Sequence, residues 1–229
     1  MAGYTDYEFE QELDADLGWR RIELNHLKSA LAQATRDSQS APAARALSRA
    51  LVVMCYAHWE GYAKNGLARY GRLVAKRKPA LSRANDGFVL QHIRQTMKRV
   101  ASGDGGAKTE LLATLRGKLD PRIHVDKASL SEAKSNLRFD VLVTLFELGC
   151  IPLDNFKLKA KFIDVNLCDQ RNSVAHGREF FPPPADSMEL CQESLALMEE
   201  LRDTLVTQVT NRKYLASSQS DLNHTVAAH

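Results

Sequence analysis

The chain reads as all-α, a helical bundle of four to five main helices with an irregular helical insertion. Three observations predict it. Alternating β-branched runs are absent, and Gly (12) and Pro (7) are few among 229 residues. Ala, Leu, Arg, Lys and Glu dominate, all good helix formers. Apolar residues recur at three- and four-residue steps, the period of a half-buried helix.

The elements follow in order. A first helix is predicted from Glu10 to Thr35, with Leu13, Leu17, Ile22 or Leu24, Leu27 and Leu31 as its stripe. Asp37-Ser38-Gln39-Ser40-Ala41-Pro42 breaks it, and Pro42 is placed to open the next helix. That helix runs from Ala43 to Lys76, about 50 Å at 1.5 Å per residue, with Leu47, Leu51, Met54 or Cys55, His58 and Tyr62 along one face. Lys76-Arg77-Lys78-Pro79 ends it, basic residues in the last turn and a proline behind.

Phe88–Val100 and Lys108–Leu119 read as shorter helices of the insertion, separated by a flexible turn or loop at Ser102-Gly103-Asp104-Gly105-Gly106. Ser131–Leu148 is predicted helical, closed near Gly149 and stopped by Pro152. Another helix is predicted from Asn155 or Ala160 to Ala175, ended by Gly177 and Pro182-Pro183-Pro184. A last one runs from Ala185 to Asn211 on Leu190, Leu197, Leu201, Leu205 and Val209. Residues 1–215 are expected to form one domain, and the polar segment 216–229 a frayed or disordered tail. The two longest helices suggest a core pair of antiparallel rods or a dimer interface.

Composition excludes some functions. With 44% hydrophobic and 26% charged residues the chain is ordinary for a globular protein. No stretch approaches the roughly 18 apolar residues of a membrane span. The acidic start MAGYTDYEFEQELD has no basic-then-apolar signal pattern, so the cytoplasm is the expected compartment. Cys55, Cys150, Cys168 and Cys191 form no short-spaced pair, which argues against a zinc knuckle or a thioredoxin-type site. Neither a metal nor a cofactor is expected. A net charge of +3 permits a nucleic-acid partner if basic residues gather on one face. Lys76-Arg77-Lys78 and Lys157-Leu158-Lys159-Ala160-Lys161 are two such groups, each equally readable as solvated helix surface.

The most informative segment is Arg171-Asn172-Ser173-Val174-Ala175-His176-Gly177. Ile163, Leu167, Arg171 and Val174 fall on one helical stripe, so Arg171 occupies an apolar face. A permanent charge there needs a carboxylate, a subunit interface or a bound anion. Asn172 and His176 share a face, whereas Arg171 and His176 stand roughly 140° to 150° apart on an ideal helix. They converge only if the last turn unwinds at Gly177, if the arginine reaches round, or if a second subunit contributes. Arginine suits a phosphate, and histidine titrates near neutrality. Together they can serve acid–base chemistry on an RNA phosphodiester without a metal. An arginine near a helix end and a His-Gly helix stop are also common for purely structural reasons.

A second patch, Cys55-Tyr56-Ala57-His58-Trp59-Glu60-Gly61-Tyr62, crowds aromatic and ionisable residues into the middle of the long helix. Tyr56 and Trp59 read as core aromatics and His58 as a buried, hydrogen-bonded histidine. Glu60 is a candidate partner for Arg171.

RNSVAHG, together with YAHWEG on the earlier long helix and SNLRFDVLVTLFELG at 135–149, resembles the HEPN superfamily of small α-helical domains. It is most similar to the bacterial stand-alone branch with this helix-2 signature, over about Ala43–Val209. The resemblance implies a metal-independent endoribonuclease whose bundle dimerises, with two R-x4-H motifs facing each other. It also implies that RNA is cut to a 2′,3′-cyclic phosphate and a 5′-hydroxyl, often in toxin–antitoxin or antiviral defence systems, beside an antitoxin or other partner protein. By position Arg171 and His176 match the catalytic pair, Asn172 the polar residue after the arginine, and Glu60 the acidic residue of the second helix. One departure is Arg178, where the nucleotidyltransferase-paired branch carries a modifiable tyrosine. The alternative is a non-catalytic helical module that binds nucleotides or proteins.

Overall fold

The structure is a computed structural model and describes residues 4–36, 40–125, 130 and 136–216. Among them the chain is helix, turn and loop, with two isolated bridges (Ala80 with Arg122, Ala84 with Leu215) and no strand. The all-α expectation holds. The part of the expected tail from residue 217 on lies outside the described residues, as do 37–39 of the first break.

Helix α1 spans Asp6–Ala34 and starts earlier than its apolar stripe announces. The Thr5 side chain accepts from the Glu8 backbone N–H, and the Glu8 carboxylate takes the Thr5 N–H, a reciprocal cap that satisfies two orphan donors. Its core stripe is Leu13, Leu17, Leu24 and Leu31, while Ile22 is exposed. Helix α2 spans Ala41–Arg77, with Pro42 in its first turn and Lys78 in the left-handed region as its stop. Residues on every side of α2 are buried, including Ser48, Cys55, Tyr56, His58, Trp59, Tyr62 and Tyr70. It is the helix against which the two other long helices and the segments around 139–149 and 162–175 pack.

Ion pairs give the direction of the rods. Asp6, Glu12 and Asp16 of α1 meet Arg77, Arg72 and Arg69 of α2, so the numbering runs oppositely and the helices are antiparallel. Helix α8, Pro184–Thr210, is antiparallel to α1 as well, since Arg202 bonds Glu10 and Asp14 while Glu199 bonds Arg21. Its Leu190, Leu197, Leu201, Leu205 and Val209 are all buried, as its period predicts. The suggested pair of rods is thus a trio, α1 against α2 and α8.

The middle of the chain departs more from expectation. Helix α3 is Asp86–Ala101, opened by the Asn85 side chain. Helix α4 is Gly105–Leu115, because the Asp104 carboxylate accepts from the Ala107 N–H and caps it. Gly105 and Gly106 therefore belong to a helix rather than to the expected loop. Helix α5 is Phe139–Gly149 instead of Ser131–Leu148. Residues 131–135 lie outside the described set, and Asn136–Arg138 are held out of the helix by contacts described below.

The helix expected over 155–175 is three pieces: α6 (Asp154–Lys157), a π-helical stretch (Phe162–Asp169) and α7 (Gln170–Ala175). The wider π turn buries Leu167 and Cys168 side by side.

Candidate functional site

Four contacts fasten Leu137–Phe139 between α2 and the π stretch. The Leu137 N–H donates to the Tyr56 hydroxyl at 2.8 Å, and the Cys168 thiol donates to the Leu137 carbonyl at 3.5 Å. Arg138 pairs with Asp169, and the Phe139 N–H donates to Asp164 Oδ1 at 2.7 Å, capping α5 from a neighbouring element. Asn136, just before this clamp, is thereby set beside α7.

Arg171 points inward and lies over the Tyr56 ring, its guanidinium carbon 4.1 Å from the centroid. Its Nη2 donates to Asn136 Oδ1 at 2.7 Å. Because arginine only donates, this bond fixes the amide orientation of Asn136. The freed Nδ2 of Asn136 then donates to Asn172 Oδ1 at 3.2 Å. Among the described residues no carboxylate pairs with Arg171. Its partners are a ring face and a neutral amide, so no opposite charge stands against this half-buried cation. Burial, with smaller contributions from Cys168 and Glu60, pushes the Tyr56 phenol far above the ordinary range, so the ring under the guanidinium stays neutral. The Cys168 thiol is pushed up to about 11, burial again leading.

His176 is exposed and sits where α7 stops. The stop is a regular one. The Gly177 N–H donates to Val174 O and the Arg178 N–H to Ser173 O, both at 3.0 Å, with Gly177 at φ 70°. That left-handed residue favours glycine, and the pattern satisfies the last carbonyls. The last turn therefore does not unwind, and no hydrogen bond joins Arg171 to His176 within the chain. Arg171 faces Tyr56, and His176 faces solvent.

Glu60 bonds Lys64 Nζ at 2.9 Å, so it is not the ion-pair partner of Arg171. His58 is buried, and its Nδ1 lies 3.3 Å from Arg20 Nη1. An arginine cannot accept, so Nδ1 is the acceptor and the proton sits on Nε2, 2.9 Å from Glu23 Oε2 without the alignment of a hydrogen bond. Burial, then Arg20, lowers the His58 pKa and keeps the ring neutral. Of the two basic clusters, Arg77 is engaged by Asp6 and Tyr214, and Lys157 by Asp154. Among the described residues no group of three or more His, Cys, Asp and Glu is gathered as a metal site requires, and no helix is long and apolar enough to cross a membrane.

The rest of the helix-2 patch answers to Arg20. A Cβ built on Gly61 would lie 2.9 Å from Arg20 Nη1 and 3.2 Å from Nη2. Arg20 cannot retreat, because Asp16 Oδ1 accepts from its Nε at 2.9 Å in a buried pair. Gly61→Leu is expected to lower stability by about 1–3 kcal/mol, the usual effect of overpacking, read as a fall in the urea midpoint at constant m. An unchanged midpoint would mean that the guanidinium moves freely.

A family model described as RiboL-PSP-HEPN matches residues 15–207. The chain belongs to the RiboL-PSP-HEPN family. The matched span contains Tyr56, Asn136, Arg171, Asn172 and His176. No curated protein and no solved structure matches the chain.

The candidate site of this HEPN protein includes one residue that the sequence does not single out. Asn136, which holds both Arg171 and Asn172, lies 35 positions before the arginine. The usable signal was Ser-Asn ahead of an apolar run, a helix-entry pattern that places the asparagine outside the helix. Tyr56 is core, as its pattern predicts, and is also the platform of the arginine.

Proposed function

We propose that this HEPN protein is a metal-independent endoribonuclease that cleaves RNA by 2′-hydroxyl transesterification, with Arg171 and His176 as catalytic residues. The observation that carries the reading is the uncompensated Arg171 cation. It is half-buried, oriented by Tyr56 and Asn136, and unpaired with any carboxylate among the described residues. A charge in that state favours an anion, and a phosphate accepts the planar guanidinium fork well.

The chemistry balances with one base and one acid. His176 takes the proton of the 2′-hydroxyl as its oxygen bonds phosphorus. The bond to the 5′-oxygen breaks, and that oxygen takes a proton from imidazolium. Arg171 stabilises the charge that grows on the non-bridging oxygens. The products are a 2′,3′-cyclic phosphate and a 5′-hydroxyl, with no water consumed.

Since Arg171 and His176 face different ways within one chain, we place the working site across a symmetric homodimer, where arginine and histidine of different copies meet. Asn172 acts as a positioning residue that holds Asn136, and Glu60 acts only through its field. A role in toxin–antitoxin or antiviral defence, with an antitoxin or other partner protein, fits membership in the family.

Purified protein incubated with RNA in excess EDTA is expected to give fragments with cyclic-phosphate 3′ ends, and His176→Ala is expected to give them about 100-fold more slowly or worse. Failure to cut any RNA, with the fold intact and no co-purified inhibitor, sinks the reading in favour of a non-catalytic binding module.

A further inference from the structure

We infer that the cleft between the first turns of α2 and the loop after His176 is a subsite for a nucleotide flanking the scissile phosphate, with the base stacked on Phe181 and a phosphate held by Arg45. This inference rests on the ribonuclease reading only in taking RNA as the ligand.

Phe181 is 55% exposed, an unusual state for a phenylalanine in an otherwise well-buried core. The backbone beside the ring is nonetheless held. Arg49 Nη1 donates to the carbonyls of Arg178 at 2.9 Å and Phe180 at 2.7 Å, which ties the loop to α2. The guanidinium carbons of Arg49 and Arg45 stand 5.2 and 6.0 Å from the ring centroid. Ala41, Pro42 and Ala46 complete the lining, and their small side chains leave about 580 Å³ open, within the range of small-ligand pockets.

The two arginines differ in what they can do. Arg49 is spent on the loop carbonyls, whereas Arg45 is exposed and has no carboxylate partner among the described residues. In the loop itself Arg178 and Glu179 offset each other in charge, and among the described residues that line the cleft Arg45 and Arg49 are the charged ones. The first turn of α2, with Ala41 and Pro42, adds the positive end of its helix dipole.

An exposed aromatic ring on a tethered loop, beside a guanidinium with no carboxylate partner among the described residues, matches a base joined to a phosphate. Stacking serves any base, and the cation follows the backbone. An acidic peptide would use the cation but not the ring. An apolar partner would have to strip water from the arginines. Continuity supplies the remaining argument, because Gly177 and Arg178 lead directly from His176 into this loop and Arg49 holds the Arg178 carbonyl.

The test uses a fluorescent single-stranded RNA of about ten nucleotides, 2′-O-methylated so that it binds without being cut. Its anisotropy is measured with the full-length protein and three variants. Phe181→Ala is expected to weaken binding about tenfold, and Phe181→Tyr to stay within about twofold of wild type. Arg45→Ala is expected to flatten the slope of log affinity against log salt by about 0.7. Circular dichroism melting checks the fold, which an exposed ring should not disturb.

Unchanged affinity in Phe181→Ala overturns the inference. So does a loss of affinity that follows a change of oligomeric state in sedimentation, since the ring would then be a contact between copies. If the probe binds through Phe181 but no RNA is ever cut, the ribonuclease reading fails and the subsite stands. If the same RNA with free 2′-hydroxyls is cut with an unchanged KM in Phe181→Ala, the reverse holds.

Discussion

Asp16→Ala is expected to destabilise the fold by about 3–5 kcal/mol, because it leaves a buried cation without its partner. Asp16 and Arg20 are both only 5% exposed. Asp16 Oδ1 accepts from Arg20 Nε and Trp19 Nε1, each at 2.9 Å, while Oδ2 accepts from Arg69 at 2.7 Å and Asn65 at 3.2 Å. One carboxylate thus satisfies four donors from two helices. Removing it strands Arg20 against His58 and the Trp19 ring, neither of which carries a negative charge. Asp16→Asn should cost less, since the amide keeps one acceptor oxygen.

The same group sets an acid limit. Burial alone would raise the Asp16 pKa, but the bonds from Arg69, Arg20 and Asn65 outweigh it and hold it below the usual carboxylate range. A depressed folded pKa contributes stability that is fully present above the unfolded value of about 3.9. That contribution is lost as pH falls through the folded value. Urea midpoints of wild type and Asp16→Ala should therefore differ most near neutral pH and converge in acid. A difference below about 1 kcal/mol at pH 7 would show that water reaches Arg20 and that the pair behaves as a surface one.

This network explains what could and could not be seen in the sequence. The long helices were legible because their apolar period is sustained over many turns, as with Leu190 to Val209. Asp16 and Arg20 look like a solvated face, since a sequence does not say that another helix carries Arg69 and Asn65 to meet them. Gly61 similarly looks like a weak point of a helix until the Arg20 guanidinium is found against it. The N-terminus of α5 departs from its local pattern because tertiary contacts override local preference: Tyr56, Asp164 and Asp169 hold Leu137–Phe139 in place. The π stretch has no sequence signature, as its hydrogen bonds are a choice of register. For the site, Arg171 was legible by its place in an apolar stripe. Its platform and clamp were not, because Tyr56 and Asn136 come from distant segments.

Mixing inactive variants should restore activity, which decides how Arg171 and His176 meet. Arg171→Ala and His176→Ala are each expected to lower kcat/KM about 100-fold or more, the usual effect of removing a group that stabilises transition-state charge. Arg171→Lys should not rescue, since an ammonium lacks the planar fork that lies on Tyr56 and bonds Asn136. If each site draws its arginine from one copy and its histidine from the other, a mixed dimer has one doubly damaged site and one intact site. Random exchange of subunits then returns about a quarter of wild-type activity, because half the dimers are mixed and each has one good site of two. If both residues act within one copy, every site in every mixture lacks a group, and activity stays at the level of the separate variants. The proposed composite site predicts the first outcome. The turn at Gly177 is closed and Arg171 lies on Tyr56, so a histidine supplied by a second copy would meet this arginine without any unwinding of α7.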